Sequence, residues 1–318
     1  MFRLRKGSLT ERERLMKIKE NYPAVRYSQP LIVFAVAAVL LTVLRCFQIA
    51  NDIDASTGFY KSRGFFVILF FVLLFASCLA FAVSSFLSIE SRYVGIDKCK
   101  SKGFYAITLI FSLVMFFDGA SSLIGAYDTA QDTRILESVF KSMMISGAIP
   151  QLLRGIFGLL SGVYFASLSG SLKKADGDTS KHKVLALMPV GWAACRLLNL
   201  FVRRISFLRV SDLFLELSMC AFMTLFFMAF AQVASHIYSD DSRWRLAGFG
   251  LPAALVAFIL SVSRLIFTII DSEKYIGEDY RFCLADLVFA VFAFALVLTL
   301  SKASPLSKTQ EKEPEIVP

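Results

Sequence analysis

Apolar residues collect into long runs separated by short polar segments: Leu31–Ala50, Phe65–Ile89, Phe104–Tyr127, Ile149–Leu172, Val184–Val202, Leu213–Tyr238, Leu246–Ile270 and Phe282–Leu300. Roughly 20 helical residues, rising 1.5 Å each, cross a hydrocarbon core of about 30 Å, and every run approaches that length. Backbone groups in lipid find no water, so each run must satisfy its own hydrogen bonds, and a helix does this. The pattern predicts an all-α integral membrane protein with about eight transmembrane helices occupying residues 30–301. The run at Leu31 ends without a small-x-small cleavage pattern, so it is expected to stay as a span and not to be removed as a signal peptide.

The flanking segments read differently. Residues 1–29 are basic; Thr10 and Glu13 fit a capping box, and Glu13 and Lys17 are spaced i,i+4. A short helix through Glu20, closed by Pro23, is expected near the inner leaflet, drawn to anionic lipid; docking to a partner is its other use. Between the third and fourth spans, Ile135, Leu136, Val139, Phe140, Met143 and Met144 form one apolar stripe. It is too short and too polar to cross, and predicts a helix lying at the outer surface. Pro150 suits the start of the fourth span. Residues 302–318 are polar and proline-punctuated, and disorder is expected there.

Composition agrees with lipid as the solvent. Apolar residues make up 56% of the chain and charged residues 19%, with 32 phenylalanines, against roughly 45–50% apolar for soluble domains. The net charge of +9 is mainly a topology signal. With the N-terminus inside, the inner segments carry more than twice as many Lys and Arg as the outer ones, which places both termini in the cytoplasm. The connection holding Arg203, Arg204 and Arg209 argues the other way. No segment is long enough to present a basic face to nucleic acid. Short outer loops and the lack of Asn-x-Ser/Thr sequons lean toward a bacterial cytoplasmic membrane.

Consecutive spans pair as four outward-closing hairpins, and charge recurs within them. Each odd span carries one ionisable residue toward its outer end: Arg45, Asp118, Arg196 and Arg264. The contexts Leu44-Arg45-Cys46, Cys195-Arg196-Leu197 and Ser263-Arg264-Leu265 resemble one another, which points to parallel two-helix repeats. The even spans answer with Arg154, Glu216 and Asp286. The expected pairs within hairpins are Asp118 with Arg154, Arg196 with Glu216, and Arg264 with Asp286, all in the outer third of the bilayer. A lone charge there is costly, so pairing is the usual remedy. The alternative is a charged outer vestibule that holds a small anionic or zwitterionic solute. Arg45 has three outcomes open: reaching Asp52 or Asp54, sharing Asp118, or holding an anionic group with its guanidinium fork.

The fourth span bears Gly158, Gly162, Ala166 and Gly170 at i+4 spacing, a groove for close helix packing, internal or at a dimer seam. The six cysteines show no CxxC spacing and read as free thiols. His182 and His236 lack metal-ligand spacing, and no Walker loop or GxSxG motif is present, so no metal, cofactor or catalytic set is expected. Two functions fit: a permease or solute-binding membrane subunit, and a non-catalytic accessory, assembly or sensing component with partner membrane proteins. A membrane enzyme comes third.

Overall fold

A computed structural model describes residues 28–53, 60–61, 64–87, 96, 101–132, 147–173, 183–202, 210–235, 242–275 and 282–302. Its helices are α1 Ser28–Phe47, α2 Phe65–Leu87, α3 Lys102–Asp132, α4 Ala148–Lys173, α5 Met188–Val202, α6 Val210–Ala234, α7 Ser242–Tyr275 and α8 Leu284–Lys302. A π-helical turn, Gln48–Asp52, continues α1, and a 3₁₀ turn, Leu185–Leu187, leads into α5. Among the described residues these give eight helices long and apolar enough to cross a membrane. The protein is all-α and polytopic. The N-terminal helix through Glu20, the 135–144 stripe, the 203–209 connection, His182, His236 and the tail beyond Lys302 lie outside the described residues.

The helix faces follow from the solvent on each side. On α2 the buried positions Val67, Phe70, Leu74, Phe81 and Ser85 recur at steps of three, four or their sum. Phe65, Ile68, Val72, Phe75 and Leu79 stand exposed between them. In water such exposure would be penalised; toward acyl chains it costs nothing, which is why the apolar run need not be amphipathic. Pro150 and Pro189 sit in the first turns of α4 and α5, where no amide donor is required. Only Pro252 lies inside a helix among the described residues.

Consecutive helices pack antiparallel. Phe111 meets Phe165 while Phe116 meets Gly162 and Gly119 meets Gly158, so α3 and α4 run in opposite directions. The four predicted hairpins all make contact, with α3 and α4 the most closely joined. Packing also crosses between hairpins: α7 touches α1, α2, α6 and α8, and α8 touches α3. Below the ends where Arg45, Arg196 and Arg264 lie, the interior is aromatic. Phe111 stacks on Phe292 with centroids 4.9 Å apart, and Phe165, Phe226, Phe227, Phe230 and Phe289 close around them. Such ring pairs add roughly 0.5–1.5 kcal/mol each beyond area burial. The bundle centre is an aromatic plug.

Candidate functional site

Above the plug, three sets of buried charges share one layer. The first is built on α6, whose opening turn carries Asp212 and whose next turn carries Glu216. A spacing of i,i+4 puts both carboxylates on one helix face. Arg45, in the last turn of α1 and 0% exposed, reaches across with Nη2 to Asp212 Oδ1. Arg264 of α7 donates from Nη1 to Glu216 Oε1 at 2.6 Å, and its Nη2 lies 3.6 Å from Asp212 Oδ2. Asp212 is thus shared by two guanidiniums, tying α1, α6 and α7 together. The π turn completes the Arg45 shell: Nη1 donates to Gln48 Oε1 at 3.0 Å and to the Tyr60 hydroxyl at 2.9 Å, while Gln48 Nε2 donates to the Phe66 carbonyl.

Burial raises the Tyr60 phenol pKa above its ordinary value, against the opposing pull of Arg45, so the hydroxyl stays protonated and can also donate to Gln48. Tyr60→Phe is expected to keep the fold but to cost about 1.5–3 kcal/mol, the worth of a hydrogen bond to a charged donor. A fall in the thermal midpoint in mild detergent would register it; an unchanged midpoint would mean the hydroxyl contributes nothing.

The second set is a bidentate pair. Arg196 of α5 donates from Nη1 and Nη2 to the two carboxylate oxygens of Asp286 in α8, with side chains 9% and 2% exposed. The third is Asp118 of α3 with Arg154 of α4: Nη2 to Oδ1 at 2.5 Å and Nε to Oδ2 at 3.3 Å. Trp192 Nε1 adds a 2.8 Å bond to Asp118 Oδ2. The Arg196 guanidinium stands 5.9 Å from the centroid of the Trp192 ring, joining the second and third sets.

Of the three pairs expected from chain proximity, only Asp118 with Arg154 forms. Arg196 faces α8 and not α6, so its partner is Asp286 in place of Glu216. Arg264 faces α6, so Glu216 and Asp212 replace Asp286. Arg45 pairs with Asp212, a carboxylate not expected for it, while Asp54 lies outside the described residues. The physical reason is common to all three: the rotation of each helix and the reach of its arginine decide the partner, not proximity along the chain, and α7 touches both α6 and α8. Asp212 escaped notice because it precedes the apolar run counted from Leu213. Its i,i+4 relation to Glu216 was the available signal. Trp192 was also missed, although an indole N–H buried in a bundle must find an acceptor.

The glycine groove of α4 closes inside the molecule. Gly155, Gly158 and Gly162 face Leu123, Gly119 and Phe116 of α3, and a Cβ at Gly158 would stand 3.0 Å from the Gly119 Cα. Ser112 Oγ donates to the Gly162 carbonyl at 2.8 Å through this contact. The stripe runs out at Ala166, which is half-buried, and at Gly170, which has open space. Among the described residues no cluster of metal-ligating side chains occurs. Comparison with family models, with curated proteins and with solved structures returns no match for this chain, which leaves the geometry of the charge layer to speak for its function.

Proposed function

We propose that the chain is a permease or solute-binding membrane subunit, with the ion-pair layer as its closed gate on the outer face. The observation that carries this is the wiring of the layer. Its pairs join α1 to α6, α6 to α7, and α5 to α8, across hairpin boundaries. Holding helices together does not need charge, because apolar side chains of similar volume often do it equally well or better. Ionisable groups kept at membrane depth usually mark a path, and pairs between packed hairpins can part and re-form as the hairpins rock. On this reading both termini are cytoplasmic and the membrane is a bacterial cytoplasmic membrane.

The second reading, an accessory, assembly or sensing component, is favoured by each arginine of the layer having a carboxylate partner at rest. Cys283 separates the two. It adjoins the layer, its carbonyl accepting from the Asp286 amide, and it is only partly exposed, so the resting protein is expected to react slowly with maleimide. In right-side-out vesicles carrying Cys283 as the sole cysteine, a gate predicts labelling by a membrane-impermeant maleimide within minutes to hours. Asp118→Asn, which loosens the layer, is expected to accelerate it. Labelling that appears only on denaturation, or purification with a stoichiometric partner protein, would instead assign the accessory role.

A further inference from the structure

Resting on the permease reading, we infer that the solute is zwitterionic, carrying a carboxylate and an ammonium group, and that it binds by replacing the Asp118–Arg154 pair beside Trp192. Parting any ion pair in the layer frees one guanidinium and one carboxylate together. An anion alone would satisfy the guanidinium and leave the carboxylate uncompensated in a low-dielectric interior; a cation alone would do the reverse. A solute bearing both charges supplies a counter-ion to each and leaves the electrostatics of the layer unchanged. Chemical matching therefore selects a zwitterion over either single ion.

The Asp118–Arg154 pair is the one built for exchange. Arg154 is the most open of the four paired arginines, at 18% side-chain exposure against 0%, 9% and 5% for Arg45, Arg196 and Arg264. Arg196 is committed through both Nη atoms to both oxygens of Asp286, and Arg45 and Arg264 share Asp212 between them. Arg154, by contrast, meets Asp118 with one short and one long bond. Its fork can turn to a solute carboxylate in the bidentate geometry guanidinium favours.

Asp118 keeps its position when Arg154 leaves, because Trp192 Nε1 still holds Oδ2 at 2.8 Å. That leaves Oδ1, the atom Arg154 grips at 2.5 Å, to receive the ammonium. Trp192 itself is 0% exposed and is fixed from the other side by packing against Phe227, at 6.2 Å between centroids, and by Arg196 over its ring. It is a positioning residue: it holds the acceptor still while the cationic partner changes.

Trp192 makes the exchange visible. The chain has 2 tryptophans, and Trp244→Phe leaves Trp192 as the sole indole, bonded to the atom set that changes partner. The purified full chain in lipid nanodiscs is titrated with each neutral L-α-amino acid, and with matched single ions: propionate and ethylamine beside L-alanine, and so on through the panel. The expected result is a saturable change in Trp192 emission and a raised thermal midpoint for at least one amino acid. The matched acid, the matched amine and their mixture are expected to give neither. Arg154→Gln and Asp118→Asn are each expected to weaken the response by about tenfold or more, the loss typical of removing one member of a desolvated charge pair.

Should those variants fail to fold, Trp192→Phe keeps the pair and is read by thermal shift alone, with weaker binding expected. Saturation by the carboxylic acid alone, or by the amine alone, overturns the zwitterion assignment while leaving a solute-binding protein. Silence across the panel overturns it too, and maleimide labelling of Cys283 then decides separately whether the layer opens.

Discussion

Arg196→Met alone is expected to collapse the folded yield, and Arg196→Met combined with Asp286→Leu to restore most of it. The pair is buried and bidentate, with Asp286 2% exposed. Removing one partner strands a buried carboxylate, which typically costs about 3–5 kcal/mol, whereas replacing both by apolar side chains of similar volume is often neutral. Total stability is commonly only about 5–15 kcal/mol, so the single change consumes a large part of it. Monodisperse yield after detergent extraction and the thermal midpoint read the comparison. The same pair of changes at Asp118 and Arg154 is expected to show a smaller gap, since those side chains are 11% and 18% exposed and water can screen a stranded charge. A double variant as damaged as the single one would show that Arg196 and Asp286 do more than compensate each other.

That comparison also marks where the sequence stops being legible. The spans were readable because lipid imposes one length and one chemistry on every crossing segment. The shared depth of Arg45, Asp118, Arg196, Arg264, Glu216 and Asp286 was readable for the same reason, as depth is position along a run. Partnership was not, because it depends on rotation about the helix axis and on which hairpins neighbour each other. Asp118 with Arg154 is the instructive exception. Gly119 and Gly155, each next to one of the pair, bring α3 and α4 so close that chain neighbours are also spatial neighbours. Where no such small-residue contact binds a hairpin, as between Arg196 and Glu216, the charge turns to another helix. Arg45 shows the second limit: its partner begins a helix far along the chain, in a turn too polar to count as membrane.

Gly119→Val is expected to be the most damaging change that alters no charge. A Cβ at Gly119 would sit 2.8 Å from the Leu159 amide nitrogen and 3.0 Å from the Gly155 carbonyl oxygen. Both are backbone atoms, so no side-chain rotation relieves the contact and α3 must move away from α4. In lipid this interface is held by close van der Waals approach and the Ser112–Gly162 hydrogen bond, both of which weaken with separation. Overpacking alone typically costs about 1–3 kcal/mol. The displacement also carries Asp118, the preceding residue, away from Arg154 and Trp192, adding the strain of a loosened ion pair. A lowered thermal midpoint together with red-shifted Trp192 emission is therefore expected. Gly170→Ala is the control, because a Cβ there meets nothing within 4 Å, and its midpoint should stay near that of the parent. Equal effects of the two substitutions would mean that the glycines of α3 and α4 serve some contact other than the one between these helices, such as a seam with a second copy of the chain.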